Sequence, residues 1–193
     1  MLKLLGNPSF SGVTFAQFFA ALNDNAMRQA FLLIAVETAA RELQASASAL
    51  FALPFILFSP LAGQMADRFS KQTVIVVTKL AEIGVVVLAG YALWIDELSL
   101  LLVALLLMAT QSAFFSPAKY SILPEILPYE ALSKGNGILQ MTSYMAILLG
   151  AAVAGFLLQF FPVVWTAGAL VLFGVVGFLP TLLIEPIPAA DPD

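Results

Sequence analysis

The chain has 193 residues, of which 61% are hydrophobic and only 10% are charged, and its formal net charge is −4. A soluble domain of this length leaves roughly a third of its unfolded-chain surface exposed and cannot hide so much apolar area, so lipid must be the solvent. This excludes soluble enzymes and nucleic-acid-binding proteins. Because cysteine and histidine are both absent, we also expect no disulfide, no metal site and no cofactor.

Six segments are long and apolar enough to cross a bilayer, which takes about 20 residues per helix. They span about residues 10–40, 47–65, 73–94, 98–116, 138–161 and 163–184. The sequence therefore predicts an all-α membrane protein with a six-transmembrane-helix bundle at residues 10–184. Residues 1–9 are expected to form a cytoplasmic lead, and the Pro-rich, acidic residues 185–193 a cytoplasmic tail or linker.

The positive charges between the spans predict the orientation, since lysine and arginine are enriched in cytoplasmic loops. With the N-terminus inside, the outer segments hold only Arg41. The inner segments hold the remaining basic residues outside the spans, which are Lys3, Arg68, Lys71 and Lys134, with Lys119 at the membrane edge. Both termini are therefore expected in the cytoplasm.

The first span has a polar middle, formed by Gln17, Asn23, Asp24, Asn25, Arg28 and Gln29. Helical spacing places Gln17, Asp24 and Arg28 on one stripe, and the last two are four residues apart, as in an ion pair. Such a stripe at membrane depth must face protein or a water-filled cavity. We interpret it as the lining of a substrate cavity, and the alternative is a structural ion pair that only seats this helix.

The third and fourth spans add further polar residues. Lys79 and Glu82 are three residues apart on one face, and Glu82 lies near the midplane. This pair either contributes to substrate binding or forms a local salt bridge that holds adjacent helices. Gln111 lies toward the cytoplasmic half of the fourth span. Lys119 ends that span, where it either snorkels to the headgroups or meets the phosphate of an amphipathic substrate.

Small residues recur in the fifth span at Gly150, Ala151, Ala154 and Gly155. Spacings of four residues place them on one face, where the backbones of two helices can approach closely in lipid. We therefore predict a close helix–helix contact along this face. The alternative is that small residues are simply common in membrane spans.

The loop between the second and third spans contains Gly63-Gln64-Met65-Ala66-Asp67-Arg68-Phe69-Ser70-Lys71-Gln72. It resembles the signature loop of the major facilitator superfamily, Gly-x-x-x-Asp-Arg/Lys-x-Gly-Arg/Lys-Arg/Lys. Four positions match, namely Gly63, Asp67, Arg68 and Lys71. Ser70 replaces the turn glycine. We expect Gly63 to permit close helix contact, and Asp67 and Arg68 to pair across helices and latch an inward gate.

Two further segments resemble the bacterial lysophospholipid transporter family within that superfamily. They are Phe19-Ala20-Ala21-Leu22-Asn23-Asp24-Asn25-Ala26, and Phe115-Ser116-Pro117-Ala118-Lys119-Tyr120-Ser121-Ile122-Leu123-Pro124-Glu125 with the later pair Asn136-Gly137. The resemblance implies a non-enzymatic transporter that moves lysophospholipid across the bacterial inner membrane. It also implies an acyltransferase and acyl-carrier-protein ligase that re-acylates the imported lipid.

Superfamily members consist of two six-helix halves with the substrate site between them, and this chain resembles the N-terminal half. We therefore expect a second half as partner, in another chain or in missing sequence. The expected substrate-binding residues are Gln17, Asp24, Asn25, Arg28, Glu82, Gln111 and Lys119. The alternatives are a drug or metabolite exporter, and a membrane-anchoring domain fused to a lipid acyltransferase.

Overall fold

The computed structural model describes residues 2–37 and 41–189, with the backbone alone at residues 2, 3 and 41–48. Within these residues the long elements are six helices: α1 (Pro8–Glu37), α2 (Arg41–Arg68), α3 (Lys71–Trp94), α4 (Leu98–Ser121), α5 (Leu132–Phe160) and α6 (Val163–Phe178). Short helical segments occupy Leu2–Leu5, Leu123–Ile126, Tyr129–Ala131 and Leu179–Leu183. The described chain contains no strand, which confirms the all-α prediction.

Five of the described helical stretches are long and apolar enough to cross a membrane. They are Ala49–Arg68, Lys71–Trp94, Leu98–Ile126, Tyr129–Phe160 and Val163–Leu183. The first helix, α1, has 30 residues, or about 45 Å at 1.5 Å per residue, which is long enough to span. Its polar middle makes it less apolar than the other five.

Two helix ends differ from the expected positions. The fourth span was expected to end near residue 116, but α4 continues through Pro117 to Ser121. Proline is tolerated inside a membrane helix because neighbouring helices compensate for the missing hydrogen bond. The fifth span was expected to begin at residue 138, but α5 begins at Leu132. The polar loop between them is therefore shorter than the sequence suggested.

The residues after the last helix contact the start of the first helix. Ser9, near the start of α1, accepts a hydrogen bond from the backbone N–H of Glu185 at 3.1 Å. Asn7 donates to the carbonyl oxygen of Ile126 at 3.1 Å. Part of the expected tail, residues 185–189, thus lies against the start of the first helix. Residues 190–193 of that tail lie outside the described residues, as do the end of the expected first span at residues 38–40 and the side chain of Arg41.

The buried apolar residues form two clusters at different depths. One contains Met27, Phe31, Val86, Leu105 and Met108 among others. The second contains Phe10, Ile75, Phe115, Ile122 and Leu139 among others. On the four helices that contribute to both clusters, most of the buried polar residues lie between the two sets, at Asn23 and Asp24 on α1, Thr78, Lys79 and Glu82 on α3, Gln111 and Ser112 on α4, and Ser143 on α5. The others, Ser9, Thr14 and Gln17 on α1 and Lys71 on α3, lie closer to the starts of their helices. A polar layer therefore crosses the middle of an otherwise apolar bundle.

The most extensive contact in the bundle joins α1 and α5. Gly150 of α5 lies against the backbone of α1, where a methyl group would collide with the carbonyl oxygen of Leu22 and lie 3.1 Å from the nitrogen of Ala26. Ala154, one turn later, is 1% exposed. The predicted close approach along the small face of the fifth span is confirmed, because only glycine fits at its centre.

Candidate functional site

A polar pocket of about 260 Å³ lies among α1, α2, α4 and α5. Its polar and aromatic lining consists of Gln17, Asp24, Asn25, Phe51, Phe55, Ser112, Phe115, Ser116, Lys119, Tyr120, Gln140 and Ser143. Four of the seven predicted substrate-binding residues therefore meet in one place: Gln17, Asp24, Asn25 and Lys119. The other three, Arg28, Glu82 and Gln111, lie around the pocket rather than in its wall.

Asp24 is the acidic group of this pocket and is 9% exposed. Its Oδ2 accepts a hydrogen bond from the Ser112 hydroxyl at 2.7 Å, and its Oδ1 has no hydrogen-bond partner. The Ser112 oxygen in turn accepts from Gln111 Nε2 at 2.9 Å. Gln111 thus acts on Asp24 through Ser112. The free lone pairs of Oδ1 leave Asp24 able to accept a hydrogen bond from a ligand.

Lys119 is the basic group of the same pocket. Its Nζ lies 5.6 Å from the ring centre of Phe115 and 5.0 Å from that of Tyr120. Both rings can stabilise the ammonium through their negative faces, which matters most where water is excluded. Lys119 is therefore held by aromatic neighbours while lining the pocket. A carboxylate and an ammonium in one small cavity can bind a ligand that carries both charges.

The amides on the α1 and α5 side are partly used within the protein. Gln17 Nε2 donates to the Ser143 hydroxyl at 2.8 Å, whereas Gln17 Oε1 is buried without a partner. Asn25 Nδ2 donates to the Ala21 carbonyl oxygen of its own helix at 2.8 Å. Gln17 thus retains an acceptor for a ligand, and Asn25 retains its side-chain oxygen.

The sequence interpretation missed Gln140 and Ser143 as pocket residues. They are three residues apart on α5, in a segment that is otherwise strongly apolar. This spacing places both on one face of a helix. Two polar residues with helical spacing inside an apolar span are the signal that could have identified them.

The alternative of an ion pair between Asp24 and Arg28 does not describe the structure. Asp24 bonds to Ser112 on α4, whereas the Arg28 guanidinium lies over the Phe51 ring at 5.3 Å. Arg28 Nε is buried without a hydrogen-bond partner. Four-residue spacing permits such a pair but does not require it, because each side chain finds a partner on a different neighbouring helix.

Glu82 does not line the pocket and forms a buried cluster with Lys79 and Asn23. Lys79 Nζ lies 2.5 Å from Glu82 Oε2, and both side chains are 0% exposed. Asn23 Nδ2 donates to Glu82 Oε1 at 3.1 Å. Of the two interpretations of this pair, the local salt bridge describes the structure, and its third member joins α3 to α1.

The loop motif differs from expectation in two ways. Among the described residues, Gly63 does not make the predicted close helix contact, since none of their atoms lies within 4 Å of a methyl group built there. Asp67 and Arg68 are both exposed, and the expected pairing across helices is not seen among the described residues, so their role in latching an inward gate stays a prediction.

Lys71 is the residue of the motif that is buried, at 3% exposure, and its Nζ lies 2.5 Å from Glu125 Oε1. This pair joins the start of α3 to the short helix after α4. Ser70 has φ −52° and ψ 125°, which is outside the left-handed region. The turn therefore does not need the glycine that Ser70 replaces.

Comparison with known proteins gives a consistent result. The model of the Major Facilitator Superfamily matches residues 13–193. A protein named lysophospholipid transporter LplT from Cronobacter sakazakii is 34% identical over 190 residues, which is 93% of this chain and 44% of that protein. The protein of the same name from Serratia proteamaculans is 32% identical over 188 residues, 95% of this chain and 45% of its own length. The chain thus spans about half the length of the curated relatives it matches.

Proposed function

Because the chain belongs to the Major Facilitator Superfamily, we propose that it forms the N-terminal half of a transporter that moves lysophospholipids. The membrane in question is the bacterial inner membrane, with both termini in the cytoplasm. The observation that carries the proposal is the pocket in which Asp24 and Lys119 lie among membrane-spanning helices. The relatives' name supports the choice of substrate class.

The two charges of the pocket match the headgroup of a zwitterionic lysolipid such as lysophosphatidylethanolamine. Asp24 Oδ1, which is buried and has no hydrogen-bond partner among the described residues, accepts a hydrogen bond from the headgroup ammonium. Lys119 binds the phosphate. Asn25 in the pocket wall and Arg28, one turn beyond Asp24 on α1, provide further polar contacts. Glu82 acts indirectly, because it accepts a hydrogen bond from Asn23, the neighbour of Asp24. A charge-assisted hydrogen bond of this kind contributes about 1.5–3 kcal/mol.

A second six-helix half completes the site. In this superfamily the substrate lies between two halves, and the pocket here is open on one side. Beside it, α5 exposes Tyr144, Met145 and Leu148, with 65%, 52% and 72% of their surfaces accessible. Charged groups facing lipid are costly, so a covering half stabilises Asp24 and Lys119. The enzymatic partner is an acyltransferase and acyl-carrier-protein ligase, since an imported lysolipid needs a second acyl chain.

The test is uptake of labelled lysophosphatidylethanolamine by the transporter assembled with its second half. Asp24→Asn and Lys119→Gln should each raise KM about tenfold or more, because each removes one charge-assisted contact. Asp96→Asn and Lys134→Gln are matched controls, since both charges are exposed and lie outside the pocket. Normal uptake at normal expression in both pocket variants contradicts the proposal, as does transport of drugs but not of lysolipids.

A further inference from the structure

The gap between α2 and α3 is a second concave surface, separate from the polar pocket. Both helices pack extensively against α4 but scarcely against each other. The gap forms an open groove of about 520 Å³ between the end of α2 and the first half of α3, with α4 as its floor. We call it the α2–α3 groove, and its lining includes Met65, Phe69, Val74, Val77, Leu107 and Phe114.

Apart from the exposed Thr73 at its lower end, the few polar side chains of the groove are turned into the protein. Thr78 Oγ1 donates to the carbonyl oxygen of Val74 at 2.7 Å, and Thr110 Oγ1 donates to that of Leu106 at 2.8 Å. Gln111 donates to Ser112, away from the groove, and its free oxygen is buried. The wall therefore presents carbon atoms, and a polar headgroup or a polar peptide would find no partner there.

The groove has the length of one bilayer leaflet. From Thr73 to Val85 it follows α3 for about 18 Å at 1.5 Å per residue. The hydrocarbon core of a bilayer is about 30 Å thick, so one leaflet is about 15 Å. Its lower end lies at Phe69 and Thr73, beside the turn between α2 and α3.

We propose that one acyl chain of a bilayer phospholipid occupies the α2–α3 groove as a bound structural lipid. An empty groove would leave its lining without contacts on one side, which costs dispersion energy. The described helices leave the groove open, and the surrounding solvent at this depth is lipid. The acyl chain fills the space between α2 and α3. It thereby fixes the distance between the two helices, which make few direct contacts with each other.

The test uses phosphatidylethanolamine with a photoreactive group on one acyl chain, in vesicles that contain the purified protein. Adducts mapped by mass spectrometry should concentrate on the groove lining, with Val77 and Phe114 among the labelled positions. Val77→Trp fills the groove and should reduce this labelling several-fold. Val87→Trp is the matched control, because Val77 and Val87 are both on α3 and are 57% and 53% exposed, and Val87 lies outside the groove.

Thr73→Phe provides a second filling variant, since Thr73 is an exposed residue of the lining. Loss of labelling in both filling variants, with normal labelling in Val87→Trp and unchanged lysolipid uptake in all three, supports the bound lipid independently of the transported substrate. Two results overturn it. One is labelling spread evenly over the exposed positions of α3, and the other is a groove covered by protein, either by the second six-helix half or by a second copy.

Discussion

The cluster of Lys79, Glu82 and Asn23 shows how single residues can be charged inside an apolar bundle. Each charge is wholly buried and compensated, since Lys79 and Glu82 pair with each other and Asn23 donates to the second carboxylate oxygen. Gly177 leaves room for the ammonium, because a methyl group there would lie 2.9 Å from Lys79 Nζ. Such a pair stabilises the folded state little more than apolar residues of equal size would, but removing one partner is strongly destabilising.

The first prediction follows from this asymmetry. Glu82→Gln leaves the Lys79 charge without its partner and should lower the free energy of unfolding by about 3–5 kcal/mol. Adding Lys79→Met removes the uncompensated charge and should restore a large part of that loss. Unfolding of the purified protein in detergent, followed by tryptophan fluorescence, measures both. If the double variant is less stable than Glu82→Gln, the buried pair is not the source of the effect.

A second prediction concerns Asp24 and Arg28, which contact different helices. Asp24→Asn and Arg28→Gln should have independent effects on stability, so a double-mutant cycle should give a coupling below about 0.5 kcal/mol. Asp24→Asn with Ser112→Ala is the positive comparison, because these two residues share a hydrogen bond and should be coupled. A strong coupling between Asp24 and Arg28 would show that the ion pair forms after all.

At the residue scale, the sequence could predict which polar residues lie inside the membrane, but not which of them meet. Gln17, Asp24 and Lys119 stand out because a polar residue in an apolar span is rare. Their partners depend on how the helices are rotated against one another, which is decided by contacts such as Gly150 against Leu22. The sequence of α3 alone could therefore not predict that Glu82 would lie outside the pocket, because this depends on how α3 is rotated against its neighbours.

Among the elements, the contact of α1 with α5 depends most on small side chains. The third prediction is that Gly150→Ala destabilises the protein by about 1–3 kcal/mol, because the methyl group collides with the backbone of α1. Gly137→Ala on the same helix is the matched control, since nothing lies within 4 Å of a methyl group there. That change should be neutral or stabilise the helix by up to about 1 kcal/mol.

The same unfolding measurement distinguishes the two glycine variants. Equal stability of Gly150→Ala and Gly137→Ala would mean that α1 and α5 can separate without cost, contrary to the described packing. Gly63→Ala on α2 belongs with the control, because that position is also open. The loop motif predicted a close helix contact at Gly63. The described structure does not have this contact, because it depends on the relative position of α2 and α3, which the motif does not determine.

Helix existence could be predicted from hydropathy, whereas helix ends could not. The spans appear as apolar runs because lipid requires about 20 such residues. Pro117 suggested an end of α4 that the structure does not have. A proline ends a helix in water more readily than in a bundle where neighbours satisfy the freed carbonyl group. The same holds for α2, which contains Pro54 and Pro60 within its length.

For the whole molecule, the orientation in the membrane is open to a direct test. The chain contains no cysteine, so a single introduced thiol reports one position. With both termini in the cytoplasm, Asp96→Cys should react with a membrane-impermeant maleimide in spheroplasts, because the turn between α3 and α4 lies outside. Lys134→Cys should react only after the membrane is permeabilised. The reverse pattern would contradict the orientation expected from the basic residues.

The hydrogen bonds of Asn23 and Asp24 have a consequence for motion. These consecutive residues project in directions about 100° apart on a helix with 3.6 residues per turn. Asn23 binds Glu82 on α3, and Asp24 binds Ser112 on α4. Turning α1 about its own axis would break one bond or the other and expose a buried charge. The two bonds together therefore fix the rotation of α1 relative to α3 and α4, and with it the side chains that α1 presents to the pocket.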